Sequence, residues 1–367
     1  MRLKNENIIT NPGRFAAVMA VLTVLLCYAL VLNVNTGSVS ISPGEIFSLM
    51  IRWLRCALGA LFSGLDYDTA FAQLRELSTE SRILFSIRLP RMLLAAVLGG
   101  ALSVSGFLLQ CFFRNPIAGP CVLGISSGAK LLVGMTMIFL SARLEYMGPG
   151  TLIFASFLGS LFISLLVLLF SQRVRSMSTL LVIGIMVGYI CSALTDFAIS
   201  FANDHDIVNL TNWSMGSFSG ANWGNVKISA LLCLPAVFAA WLFSKPMAAY
   251  ALGEGYAKSL GINIKLFRAA LILLSSLLSS CVTALAGPVS FVGVAVPHIT
   301  RSLLKSSKPA YMIPASFLCG AVFCTFCDLV ARSLFAPTEL AIGTVTSAFG
   351  APVVIAMMLR RRRTQEG

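Results

Sequence analysis

Charge is what this sequence has least of. Of its 367 residues, 11% are Asp, Glu, Lys or Arg, against about a quarter in an average soluble domain. That shortage excludes an ordinary water-soluble fold. Hydrophobic residues make up 57% of the chain and the mean hydropathy is +0.87, so the bilayer is its natural solvent. Acidic residues are scarcer than basic ones, 14 against 27, for a net charge of +13. Nucleic acid is not the implied partner. The basic residues stand singly between apolar runs and gather only at Arg360–Arg363, a distribution that suits loop charges facing anionic lipid.

Reactive motifs are missing too. No G-x-x-x-x-G-K-[ST] loop is present, and Gly124-Ile-Ser-Ser-Gly128-Ala-Lys130 has the wrong spacing, so ATP has no site of that kind here. The two histidines, His205 and His298, form no H-E-x-x-H, and G-x-S-x-G is absent. Ionisable groups inside the apolar runs are few: Lys130 within one, Asp196 and Asp328 near the ends of others. Ion-coupled carriers usually show midplane carboxylates or broken helices with polar gaps. The driving energy is therefore expected from elsewhere, a partner ATPase being one source. Ten cysteines are present. Cys324-Thr-Phe-Cys327 lies in an apolar helical context with no second pair and no nearby His, which reads as helix packing and not as a metal or redox site.

What the sequence does have is spanning-length apolar runs. They fall at 15–34, 89–113, 118–140, 150–171, 179–201, 226–244, 268–287, 289–304, 311–331 and 340–359, about ten in all. The first follows Arg2, Lys4 and Arg14 without a cleavage site and reads as an uncleaved helix. Basic residues concentrate in alternate loops, which places both termini on the cytoplasmic side. Segment 35–88 is the longest stretch outside the spans and faces the other side. Its apolar part at 46–62 carries Arg52 and Arg55 and reads as an interfacial helix. Gly124-x-x-x-Gly128 and Gly184-x-x-x-Gly188 are small-residue pairs suited to close helix packing.

The informative segments lie at helix ends. Arg88-Leu-Pro-Arg91 opens the second span, with Pro90 suited to a first helical turn. Its arginines share one face and serve either to pair with external carboxylates or to snorkel to the interface. Arg114-Asn-Pro-Ile-Ala-Gly-Pro120 is a stiff corner between two spans, a gate or a plain turn. Ala251-Leu-Gly-Glu-Gly-Tyr-Ala-Lys-Ser-Leu-Gly261 is amphipathic, and its glycines bracket about two helical turns. It reads as a docking helix for a soluble partner or as one lying on lipid.

Taken in order, these pieces resemble the FecCD family, the permeases of iron-siderophore, haem and cobalamin importers. The resemblance runs from about Arg82 to Arg361. It also rests on Ser105-Gly-Phe-Leu-Leu-Gln110, Leu123-Gly-Ile-Ser-Ser-Gly-Ala129 and Trp213-Ser-Met-Gly-Ser-Phe-Ser-Gly220. Further on come Gly287-Pro-Val-Ser-Phe-Val-Gly293, Val296-Pro-His-Ile299, Asp328-Leu-Val-Ala-Arg332, Glu339-Leu-Ala-Ile-Gly-Thr-Val-Thr346 and Gly350-Ala-Pro352. Gly119 stands where the family usually has an acid, Cys121 where it often has Gly, and segment 35–88 is long.

The resemblance implies an all-α, polytopic membrane helix bundle with the type II ABC importer permease fold. The whole chain, 1–367, is then one transmembrane permease domain in a bacterial cytoplasmic membrane. Implied partners are a second permease subunit, identical or not, two ATPase subunits, an extracytoplasmic substrate-binding protein, and membrane lipid. Arg88, Arg91 and Arg332 match the arginines that meet the binding protein. Leu252, Gly253, Glu254 and Gly261 match the loop that couples to the ATPase. Asn115, Ile117, Ser176 and Met177 fall at the inner gate. His298 reads as satisfying backbone groups at a helix end. No catalytic, metal or cofactor residue is expected on this chain, because ATP and Mg would sit on the partner ATPase. A ferric siderophore ranks first as cargo on family frequency, with haem or cobalamin as alternatives. The rival reading is a self-sufficient secondary carrier.

Overall fold

A backbone surrounded by hydrocarbon must satisfy its own N–H and C=O groups, and long apolar runs do so as helices. In the computed structural model, which describes residues 12–37, 42, 44, 45, 47–49, 51, 52, 78–140, 149–174 and 176–366, every regular element is helical. We number them α1 (Pro12–Asn35), α2 (Thr79–Phe113), α3 (Ile125–Met135, continued by a π turn, Thr136–Leu140), α4 (Pro149–Arg173) and α5 (Met177–Ile199). Then follow α6 (Asp204–Met215), α7 (Trp223–Leu242), α8 (Ser244–Leu252), α9 (Glu254–Ser259) and α10 (Ile264–Ala286). The last are α11 (Val292–Leu304), α12 (Pro309–Ser333) and α13 (Ile342–Glu366).

Each expected span falls on a helix. Among the described residues, seven helices are long and apolar enough to cross a membrane: α1, α2, α4, α5, α7, α10 and α12. Helices α3, α11 and the apolar part of α13 are shorter. The third span was expected from 118 but begins only at Ile125, because the prolines of the 114–120 corner hold the chain in turns. In the 251–261 segment the turns between Gly253 and Gly261 form α9, and Ala251 and Leu252 end α8. Most of the 46–62 stretch, like Arg360–Arg363 beyond their backbone, lies outside the described residues.

The second helix corrects the expectation at Pro90. It starts at Thr79, ten residues early, on a reciprocal cap in which the Ser78 and Ser81 hydroxyls each accept the other's N–H, at 3.1 and 3.0 Å. Pro90 is therefore inside a 35-residue helix. A proline there removes one donor and crowds the preceding turn. The helix absorbs this by widening into a π turn over Leu84–Arg88, with Leu89 N–H bonding to Leu84 O. The Phe85 carbonyl then lacks its usual helical partner, and the Trp223 indole N–H donates to it at 2.7 Å.

That long helix is the axis of the bundle, and α7, α10, α11 and α12 pack around it. Glycine lets α11 come close: a Cβ on Gly106 would sit 1.7 Å from the Gly293 carbonyl oxygen. Against α10, Ser105 and Ser275 each donate a hydroxyl to the other's carbonyl, at 2.8 and 3.0 Å. Small residues and hydroxyl bonds are what join helices where lipid is as apolar as leucine. The pairing expected around Gly124 forms between elements: a Cβ there would lie 2.8 Å from Gly188 Cα. Cys324 and Cys327 are buried, with Cys324 packed against Gly99. Outward, α4, α5 and α7 present large apolar side chains such as Phe154, Phe162, Tyr189, Phe197, Leu231 and Phe238.

Candidate functional site

The chain's polar machinery gathers at the two ends of the bundle. At the first end the C-terminus of α1, the π turn of α2, the C-terminus of α12 and the segment before α13 converge. Arg88, on the π turn, is buried and donates to the Val34 carbonyl. Arg332 donates to the backbone carbonyl and the side-chain oxygen of Asn33, the latter at 3.0 Å, while its Nε is buried with no hydrogen-bond partner among the described residues. Arg91 is buried between two acids. Its Nε and Nη2 reach Asp328 Oδ1 at 3.0 and 2.9 Å, and Nη1 reaches Glu339 Oε1 at 2.9 Å. The three arginines expected to act together are thus brought together, and each donates to oxygens inside the chain.

Position in the helices explains the grouping. Asp328 and Arg332 are one turn apart on α12, and Arg88 and Arg91 are one turn apart on α2, so two facing helices each contribute a pair. Asn33 also donates its amide to the Thr325 carbonyl at 3.1 Å, which ties α1 to α12 directly below the cluster. Sequence reasoning placed Asp328 and Glu339 near this end without pairing them with Arg91, and it passed over Asn33. The i, i+4 spacing of Asp328 and Arg332 was the available signal.

At the opposite end, Glu254 opens α9. Its carboxylate receives Arg268 Nη2 of α10 at 2.9 Å and Lys258 Nζ one turn on at 3.1 Å. Gly253, at φ 140°, and Gly261, at φ 80°, make the corners that set α9 apart, a backbone region that L side chains rarely adopt. Leu252 is 71% exposed, and Tyr256, Leu260 and Leu266 project beside it. A cavity of about 340 Å³ lies alongside, lined by Glu254, Lys258, Asn263 and Arg268. Arg268 was not singled out from the sequence, since a lone arginine at a helix start carries no pattern.

The expected gate residues lie at this second end. Asn115 Oδ1 accepts the Ile117 N–H at 3.1 Å, closing a turn after Arg114, which sits at φ 49°. His298 Nε2 of α11 donates to the Pro116 carbonyl at 2.8 Å and so holds that turn from outside. Arg114 lies 4.5 Å over the Tyr250 ring and donates to the Tyr250 carbonyl, joining the turn to α8. Between them is a cavity of about 520 Å³, lined by Phe107, Gln110, Arg114, Asn115, His298 and Arg301. Ser176 caps α5 through its hydroxyl to the Thr179 N–H at 3.3 Å, and Met177 begins that helix. Ser176–Met177 and Asn115–Ile117 sit on separate elements, each held by its own local bonds. A further cleft of about 300 Å³ runs where α3 meets α5, lined by Cys121, Gly124, Ser127, Gly188 and Tyr189.

A helical bundle with charged groups at both ends and seven helices long and apolar enough to span is that of a multi-pass membrane protein. The chain belongs to the FecCD transport family, which it matches over residues 22–360. It is 35% identical over 343 residues to the vitamin B12 import system permease protein of Citrobacter koseri, covering 93% of this chain and 94% of that one. It is 33% identical over 323 residues to the hemin transport system permease protein of Yersinia pestis, covering 87% and 96%. A solved inward-facing conformation of a metal-chelate type ABC transporter superposes with a TM-score of 0.78 at 26% identity, covering 94% of this chain and 99% of that one. The chain is therefore a permease of an ABC importer in the bacterial inner membrane.

Proposed function

We propose that this permease receives cargo from an external binding protein at the Arg88–Arg91–Arg332 end and is driven by ATPase subunits docked at the Leu252–Gly261 end. The carrying observation is the contrast between these ends: one gathers guanidinium groups, the other projects apolar side chains around a short helix pinned by Glu254. The sequence has no phosphate-binding loop, so hydrolysis belongs to a partner. A second permease subunit completes the pathway. The cleft at Gly124, Gly188 and Tyr189 and the exposed face of α5 are the surfaces this reading assigns to that pathway. Movement of α9 passes to α10 through the Glu254–Arg268 pair and to the Asn115–Ile117 turn through α8 and Arg114, switching the gates by alternating access.

The cargo in this reading is a metal chelate, with ferric siderophore first. The relatives named for vitamin B12 and hemin favour a second reading, a metal tetrapyrrole. The test is uptake into proteoliposomes holding the chain with its ATPase and binding protein, offered labelled ferric siderophore, haem and cobalamin in parallel. ATP-dependent uptake of one cargo that needs both partners is the expected result. Uptake without either partner overturns the reading and makes the chain a self-sufficient carrier.

A further inference from the structure

The two acids that hold Arg91 are not equivalent. Asp328 leaves α12 inside the bundle, with 1% of its side chain exposed, and takes the Nε–Nη2 edge of the guanidinium. Glu339 comes from the segment between α12 and α13, with 44% of its side chain exposed, and takes Nη1 through both oxygens, at 2.9 and 3.1 Å. Its neighbour Leu340 is fixed by a 2.8 Å bond from its N–H to the Ala331 carbonyl. Glu339 can therefore leave Arg91 by a change of rotamer, without moving the main chain. A pair open to water is held weakly, whereas a buried one is costly to separate.

Arg91 offers one replaceable position, facing outward, and the group filling it is a carboxylate. We propose that Glu339 is an internal stand-in, which keeps Arg91 paired in the undocked permease and is displaced by an acidic side chain of the external binding protein. This rests on the docking reading given above. Asp328 stays in place throughout and keeps the guanidinium aimed. The exchange replaces one carboxylate with another, so Arg91 keeps two carboxylate partners in either state, and the displaced Glu339 turns to water. Docking then frees only the Glu339 side chain, while the Leu340–Ala331 bond keeps the segment before α13 in place.

The experiment measures binding of the source organism's purified extracytoplasmic binding proteins to the permease–ATPase complex in nanodiscs, comparing wild type with Glu339→Gln and Glu339→Asp. Glu339→Gln keeps the shape and removes the competing charge. It is expected to tighten binding about two- to fivefold, the size of an exposed ion pair, while Glu339→Asp falls between it and wild type. Adding Arg91→Gln to Glu339→Gln is expected to erase the gain, which a purely structural role of Glu339 would not produce. Wild-type binding with unchanged or weaker binding by Glu339→Gln overturns the stand-in and leaves the docking reading intact. Binding by Glu339→Gln alone supports a complete block by Glu339. Failure of every binding protein with both wild type and Glu339→Gln overturns the docking reading itself, and the stand-in with it.

Discussion

The two ends of this bundle solve opposite problems with the same residue types. At the arginine end, guanidinium groups are drawn inward and each finds oxygen within the chain: Val34, Asn33, Asp328 or Glu339. At the Glu254 end, the ion pairs lie along the surface, and the large side chains that project are apolar ones such as Leu252 and Leu266. Buried charge demands partners, so the first end is tied together by ion pairs and hydrogen bonds between helices. Exposed apolar side chains around a small helix set between two glycine corners suit a surface that is gripped and moved. Both ends depend on backbone irregularity, a π turn at one and left-handed glycines at the other.

Breaking the buried side of that comparison has the largest expected effect. Asp328→Ala strands Arg91 on its buried edge and should cost about 3–5 kcal/mol, read as an early thermal transition and loss of monodisperse protein in detergent. A smaller loss is expected where a buried histidine steadies a turn. His298→Ala takes the imidazole donor from the Pro116 carbonyl, for about 1–3 kcal/mol, and should make the Asn115–Ile117 turn more susceptible to thiol labelling of an introduced Ile117→Cys, which leaves the Asn115 side chain in place.

The exposed end separates stability from coupling. Glu254→Lys replaces the ion pairs with Lys258 and the part-buried Arg268 by like-charge contacts, and should cost about 1–2 kcal/mol, less than Asp328→Ala. Cargo-stimulated ATP hydrolysis should nonetheless fall to the basal rate, and a normal response would end the coupling assignment. Leu252→Ser is the finest probe. Stability should stay within about 0.5 kcal/mol, while co-purification of the ATPase drops. A stability loss as large as that of Asp328→Ala would mean the two ends do not differ in the way described.

Much of this was legible in residue order. The apolar runs marked every helix that spans or nearly spans, because period and length survive without tertiary information. The arginine pair, the Asn-Pro corner and the glycine-bracketed segment were visible as departures from those runs. The start of α2 was misplaced by ten residues. Pro90 reads locally as a helix opening, and only the π turn and the Trp223 indole allow the helix to pass through it. The glycines of 251–261 marked the helical turns that form α9, but not the φ of 140° at Gly253 that turns the chain out of α8.

By composition and order, the sequence determined that the chain is poor in charge and that its apolar runs form membrane-spanning helices. Those follow from hydration and backbone hydrogen bonding, which depend on each segment by itself. Only the tertiary structure decided that Arg91 lies between Asp328 and Glu339, that His298 grips Pro116 and that Glu254 is anchored by Arg268. The first two join residues 180 to 250 positions apart, and the third crosses from one helix to the next. Such pairs are chosen by where helices cross, and helix crossing depends on glycine and serine contacts between elements that no single segment encodes.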